Sequence, residues 1–246
     1  ETRMAHYLSA SAVSAKNLAE EKDAIKTLIG DISHQTKTPI ANLLLYAQLL
    51  EEQDLPPESR EYASALEHQA EKLRFLIDAL VKTSRLESGV LAMTPKRHGI
   101  QQLLDAASAQ AAPGAEAKAI TLTVEPTDLT ARFDPKWTAE ALYNLVDNAV
   151  KYTPAGGAVT LRAVGYELFC RVDVTDTGPG IPESEQARIF QRFYRSPSAS
   201  EAEGVGIGLY LARQIAPGQG GYLKVSSRPG EGSTFSLFLP RAEERT

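Results

Sequence analysis

The chain has 246 residues, 43% of them hydrophobic and 23% charged, and carries a net charge of −5. That length exceeds what one core usually organises, so two domains are expected, and the composition argues against a disordered chain. Without a dense run of Lys or Arg, the charge gives no basis for nucleic-acid or membrane-surface binding. The one cysteine, Cys170, cannot form an intramolecular disulfide, which fits a reducing compartment, and it sits in a strand pattern as a core residue. No stretch approaches the roughly 20 apolar residues of a membrane span, and no signal peptide opens the chain. Glu1 in place of Met is compatible with a fragment of a membrane-anchored parent.

Residues 16 to 53 read as one long helix. Its apolar positions Ile25, Ile29, Ile32, Thr36, Pro39, Leu43, Tyr46 and Leu50 follow the alternating 4,3 spacing of a heptad seam, which predicts packing on other helices. Pro56 and Pro57 stop it, and Tyr62, Leu66, Ala70, Leu73, Ile77 and Leu80 continue the period in a second helix to about Glu87. Two antiparallel helices leave an apolar stripe open, which a symmetric dimer closing a four-helix bundle would cover. The pattern changes near residues 88 to 98. Beyond it, strands are expected at 118–125, 157–165, 167–176, 221–227 and 233–240, and helices at about 100–112, 135–152, 183–192 and 207–216. Strands and helices mix without regular alternation, so an α+β sandwich with helices on one sheet face is expected.

The helix at 135–152 opens with Asp134 as N-cap and Pro135 at its first position. Asn144, Asn148 and Lys151 fall on one face, while Leu142, Val146 and Ala149 point the other way. Such a polar stripe can be plain solvated surface. Two glycine-bearing segments follow it. In DTGPGIP (176–182), Gly178 and Gly180 allow turns and close ligand approach beside Asp176, whose carboxylate suits the amino group of a base. In GVGIGL (204–209), Gly204, Gly206 and Gly208 lead into a helix whose amides and dipole can receive phosphate oxygens. The spacing is not that of a dinucleotide-binding fold.

DISHQTKTPI (31–40) resembles the phosphoacceptor box of sensor histidine kinases. NLVDNAVKYTP, DTGPGIP, IFQRFY, GVGIGLYLARQI and GSTFSLFLP resemble their ATP-binding boxes, in the family's order, so that the resemblance covers about residues 25 to 240. It implies a helical hairpin forming a dimeric four-helix bundle, followed by an α+β two-layer sandwich of the kind shared with Hsp90, type II topoisomerases and MutL. The implied domains are an N-terminal signalling-helix extension (1–24), a dimerisation and phosphotransfer domain (25–90) and an ATP-binding domain (98–243).

The resemblance also implies site roles. Asn148 would coordinate Mg²⁺ through its amide oxygen, which suits a hard cation that keeps waters and phosphates as its other ligands. Asn144 would support the triphosphate, Lys151 would neutralise it and Tyr152 would flank the nucleotide. Asp176 would read the adenine amino group beside Gly178 and Gly180, and Gly204, Gly206, Gly208, Leu209 and Thr234 would complete the nucleotide site. SPSASEAE would be a short lid between Arg195, a candidate γ-phosphate contact, and Gly204. Phe190 and Phe193 read as core or as packing at the lid's hinge.

His34 would be the phosphoacceptor. It lies about 200° round the helix from Ile32 and Thr36, off the seam, and no His or Cys stands nearby at metal-ligand spacing. An imidazole partly neutral near pH 7 is a usable nucleophile, and Pro39 loosens the backbone beside it. Thr38 matches a position that orients water for dephosphorylating the partner, with helix packing as the competing reading. Gln35 departs from the family's usual acid; its oxygen can hold a ring N–H but cannot act as a base. Pro217 is a second departure, ending its helix early.

The activity so implied is an ATP- and Mg²⁺-dependent protein-histidine kinase that passes phosphate to an aspartate of a response-regulator receiver domain and removes it as a phosphatase. The chain would be a homodimer and the cytoplasmic portion of an inner- or plasma-membrane sensor. A catalytically weak nucleotide-binding scaffold is the alternative, to which Gln35 lends support.

Overall fold

The computed structural model describes residues 24, 27–28, 30–32, 35–87, 93–196 and 205–242. The chain divides into two compact units, between Ala92 and Met93.

In the first unit, residues 35–51 are helical and are labelled α1. Helix α2 spans Pro57–Glu87, with Pro57 opening it where a missing N–H costs nothing. Gln48 Nε2 donates to Glu67 Oε1 at 3.2 Å, and Lys37 Nζ lies 2.9 Å from Asp78 Oδ1. The two contacts are 11 residues apart on each helix (48 − 37 and 78 − 67) and run in opposite directions, as antiparallel packing requires. Ile40, Leu44 and Ala47 of α1 and Ala63 and Ala70 of α2 are buried, and Ile77 packs against the Ile40–Leu44–Ala70 cluster.

This differs from the expected seam. Leu43 (53% exposed), Tyr46 (61%) and Leu50 (42%) face outward in the single hairpin, as do Ile32, Tyr62, Leu66, Leu73 and Leu80. Ile25 and Ile29 lie outside the described residues. The physical reason is that α1 carries two apolar stripes about a quarter turn apart, and the small Ala47, Ala63 and Ala70 let the helices approach along the inner one.

The second unit opens with β1 (Lys96–Gly99), which pairs antiparallel with β3 (Thr130–Phe133) in a two-stranded ribbon. The main sheet has the order β2-β4-β5-β7-β6, from Thr121–Val124 (β2), Ala158–Gly165 (β4), Phe169–Asp176 (β5), Gly232–Pro240 (β7) and Tyr222–Arg228 (β6). Only β2 and β4 run parallel. Helices α3 (Ile100–Ala117), α4 (Pro135–Tyr152) and α6 (Gly208–Ile215) cover one face, with α4 central. Between helices and sheet lie Leu104, Leu142, Leu145, Val146, Leu161, Val172, Val174, Phe235 and Leu237, each fully buried, and Cys170 joins them. This is a two-layer α+β sandwich.

Several boundaries moved. Helix α3 runs five residues past the expected end and keeps Pro113 inside it. The stripe Leu104, Ala107, Ala111, Ala115 continues unbroken onto α4, and that packing outweighs the roughly 3 kcal/mol cost of an interior proline. The helix expected at 183–192 is one turn, α5 (Glu183–Gln186), followed by a 3₁₀ turn at Arg188–Phe190. The short ribbon strands β1 and β3 were not expected at all.

Pro217 does end α6 early. The 3₁₀ turn Pro217–Gln219 that follows sends the buried Gln219 amide to the start of α4, where its Oε1 accepts from Asp134 N at 2.8 Å.

Candidate nucleotide site

Helix α4 is fixed at its start by Asp134. Asp134 Oδ1 accepts from Lys136 N (3.1 Å) and Trp137 N (3.3 Å), while Oδ2 accepts from Thr94 N at 3.0 Å. Burial alone pushes this carboxyl up, but the hydrogen bonds from Thr94, Trp137 and Lys136 outweigh it and hold it below the usual value. With Leu142, Leu145, Val146 and Ala149 wholly buried, the opposite face of α4 presents Asn144, Asn148 and Lys151, all half-buried.

From Asn144 to Tyr152 that face runs about 12 Å at 1.5 Å per residue. Asn144 Nδ2 donates to Glu140 O at 2.8 Å, which turns Oδ1 toward Gly208, where a Cβ would lie 2.7 Å from it. The side chain of Asn148 has no hydrogen-bond partner among the described residues. Lys151 is already paired: its Nζ lies 2.6 Å from Asp147 Oδ2 on the preceding turn.

Asp176 ends β5 on the helix side of the sheet and is buried. Its Oδ1 accepts from Gly178 N at 2.8 Å and Ser233 N at 3.2 Å, and Oδ2 takes no hydrogen bond from the described residues. Burial pushes this carboxyl above its usual value, against the pull of the two amides. A Cβ on Gly178 would meet Asp176 Oδ1 at 2.8 Å and the Tyr152 carbonyl at 3.2 Å, so the chain turns here directly against the end of α4. Gly180 has φ +72° and backs onto the Arg228 carbonyl, which leaves no room for a side chain.

Gly206 (φ +74°) precedes α6, and its carbonyl accepts from Phe193 N at 2.9 Å. Leu209 is half-buried in the first turn of α6. Arg195 is half-buried too. The structure therefore brings together Asn144 with Gly208, and Asp176 with Gly178 and Tyr152, along one helix, while Gly206 packs against Phe193 and Tyr194.

Two expected placements are corrected. Thr234 does not join Asp176: its hydroxyl lies 3.1 Å from that of Thr175 on the open face of the sheet. Strand alternation is the reason, since Ser233 shares the inward side with Phe235 and Leu237 and reaches Asp176 instead. The period-2 pattern of GSTFSLF already carried that signal. Phe193 is not core but 54% exposed, whereas Phe190 is buried against Phe235. Asp147 was missed as the partner of Lys151, though its i,i+4 spacing is visible in the sequence.

His34, Gly204 and residues 197–203 of the expected lid lie outside the described residues. Gln35 and Thr38 are exposed on α1. Among the described residues, no group of three or more His, Cys, Asp or Glu could hold a metal ion, and no helix is long and apolar enough to cross a membrane.

Residues 24–89 match the family described as His Kinase A (phospho-acceptor) domain, and residues 133–243 match the histidine kinase-, DNA gyrase B-, and HSP90-like ATPase family. The chain belongs to the sensor histidine kinases and contains their phosphoacceptor and ATP-binding regions. It is similar to the sensor protein DivL of Caulobacter vibrioides, 34% identical over 96% of this chain and 31% of that protein. It is also similar to the sensor-like histidine kinase SenX3 of Mycobacterium tuberculosis, 30% identical over 90% of this chain and 55% of the relative. The chain thus spans about a third of DivL's length and about half of SenX3's. Among solved structures, full-length ShkA in complex with AMPPNP aligns with a TM-score of 0.75 at 28% identity, over 89% of this chain and 47% of that one.

Proposed function

We propose that the chain is the kinase core of a two-component sensor: it binds ATP on α4 and transfers the γ-phosphoryl group to His34. The observation that carries the nucleotide half is Asp176. One oxygen is satisfied by backbone amides, and the other is left for a ligand at the foot of a helix bearing Asn144, Asn148 and Lys151. An adenine amino group supplies the donor that Oδ2 lacks. The acceptor half rests on the phosphoacceptor-domain match that includes His34.

Asn148 fits Mg²⁺, because an amide oxygen without a protein partner suits a cation that takes few protein ligands beside substrate phosphates. Bound there, the ion would neutralise charge on the phosphates. The chain's own residues do the rest. Asn144 and the Gly206–Gly208 amides position the triphosphate, and Lys151 screens it once its ammonium is shared between Asp147 and phosphate. The imidazole nitrogen without hydrogen attacks the γ-phosphorus, the bond to the β–γ bridging oxygen breaks, ADP leaves, and the other ring N–H proton is lost to water.

Gln35 can orient that N–H but cannot accept the proton, so Gln35→Glu should label faster than wild type. An equal or lower rate removes that role. We further infer a homodimer closed by the outward stripe Leu43, Tyr46, Leu50, Leu66 and Leu73, a receiver domain as phosphoryl acceptor, and a cytoplasmic position within a longer membrane sensor. With γ-labelled ATP, acid-labile label should appear on the protein and vanish in His34→Ala. Nucleotide binding without label would favour a signalling scaffold, and phosphate release without label an ATPase.

A further inference from the structure

The helices of the second unit lie on the sheet face that buries Val172, Val174, Phe235 and Leu237. Strand alternation puts Phe169 and Arg171 of β5, Phe238 of β7, and Tyr222 and Lys224 of β6 on the other face. A bare sheet face is normally polar, and half of this one is: the Thr175 and Thr234 hydroxyls meet there at 3.1 Å. The other half is aromatic. Tyr222 and Phe238 stack with centroids 4.3 Å apart and planes at 11°, and Phe169 meets Tyr222 edge-on at 5.3 Å. At the turn from β4 to β5 that leads into Phe169, Leu168 is 72% exposed and Tyr166 43%. Apart from Phe193, these two are the exposed large apolar side chains among the described residues of the second unit.

That turn is braced. Tyr166 N donates to Phe169 O at 2.8 Å, Arg241 N to Leu168 O at 2.9 Å, and Arg241 Nη1 to Tyr166 O at 3.1 Å. The Arg171 guanidinium lies 5.3 Å from the centre of the Tyr166 ring. Apolar side chains held on a fixed backbone lose little freedom when a partner covers them, which favours binding. The rim is cationic. Asp173 answers Arg171 at 2.9 Å, but neither Lys224 nor Arg241 forms an ion pair among the described residues, and the Lys224 ammonium lies 5.4 Å from the Tyr222 ring centre and 5.7 Å from that of Phe238.

We propose that this face is a docking surface for an acidic amphipathic helix of a partner protein. Its apolar side would cover Leu168, Phe169, Tyr222 and Phe238, and its carboxylates would meet Lys224 and Arg241. A helix fits because this sheet already packs helices on its other face, and a second helical layer closes the apolar half. Acidic residues fit because two cations without carboxylate partners stand at the rim of a chain whose net charge is −5. A second copy of the same face would set these cations against each other. A lipid surface is disfavoured because the rings stack within the sheet face and two cations fall short of the roughly four to eight of a polybasic lipid site. Asp176 stands at the far end of β5, seven residues from Phe169 (176 − 169) and so about 23 Å away, which lets the face be occupied while nucleotide is bound.

The test is titration of the full chain with a synthetic amphipathic helix carrying Leu on one side and Glu on the other, read by fluorescence anisotropy. Wild type should bind it in a salt-sensitive way and bind a Leu/Lys helix at least about tenfold more weakly. Leu168→Ser and Lys224→Glu should each weaken the Leu/Glu helix about tenfold. Both side chains are exposed, so Tm and ATP affinity should stay at wild-type values. No binding of either helix, equal binding of both, or binding undiminished in both variants overturns the proposal, the last by placing the helix on the apolar stripe of the hairpin. So does binding to phosphatidylserine vesicles in preference to the helix, which would make the face a lipid contact. Loss of the dimer in Leu168→Ser, measured by sedimentation, would make it a contact between copies and overturn the proposal as well.

Discussion

Asp176 shows how one carboxylate can be costly to the fold and useful to a site. Its folded pKa is raised by burial, so the folded state holds its proton more tightly than the unfolded chain does. The sign follows: stability falls as pH rises from the unfolded value of 3.8 through the raised folded value, and the penalty is fully present above it. Asp176→Asn keeps an acceptor for Gly178 and Ser233 but not the charge. It should match or exceed wild type in Tm at pH 7, with the difference shrinking toward pH 4, while adenosine affinity drops by tenfold or more because an amide N–H now faces the base amino group. Calorimetry at two pH values measures both effects; a variant that loses Tm and keeps affinity reverses the assignment. Gly206 is the complementary case. Its φ of +74° and the Tyr194 carbonyl beside it make Gly206→Ala cost about 1–2 kcal/mol or more, read by urea unfolding.

Helix α4 carries the site, and its two ends are secured differently. At its start, Asp134 caps two amides with one oxygen and ties down Thr94 with the other. Asp134→Ala should therefore cost about 1–2 kcal/mol from the lost cap alone. Because that carboxyl titrates below its unfolded value of 3.8, its contribution is fully present above 3.8 and is lost as pH falls through the folded value. The wild-type advantage over the alanine variant should shrink as pH falls through that acid range, which chemical denaturation at a series of pH values from 7 downward would show. Toward its other end, the Asp147–Lys151 pair is half-exposed and adds little to stability. Asp147→Asn should leave Tm nearly unchanged and free the ammonium for phosphate, tightening ATP binding a few-fold at low salt; looser binding would place Asp147 itself among the ligand contacts.

The two units are stabilised by different means. The second encloses its core between a five-stranded sheet and three helices. The first is a hairpin with one narrow buried stripe and a second apolar stripe facing out, more exposed apolar surface than two helices keep in water without a partner. Leu43→Glu should leave the hairpin's inner contacts intact and shift sedimentation from dimer to monomer; a variant that stays dimeric would move the interface elsewhere.

The amphipathic face of α4, its Asp134–Pro135 start, the β-rich second half and the glycine turns were all legible in the sequence, because each depends on local geometry: a 3.6-residue period, a capping side chain, a position without Cβ. The side of the sheet that Ser233 and Thr234 occupy was legible too, through the two-residue period. What the sequence alone could not decide is which of two apolar stripes closes the hairpin, whether α3 continues through Pro113, and that Phe193 turns outward. Those outcomes depend on how closely distant backbones approach, on Ala47 against Ala63 and Ala70, on α3 against α4, and on Gly206 against Tyr194, and such distances exist only once the chain has folded.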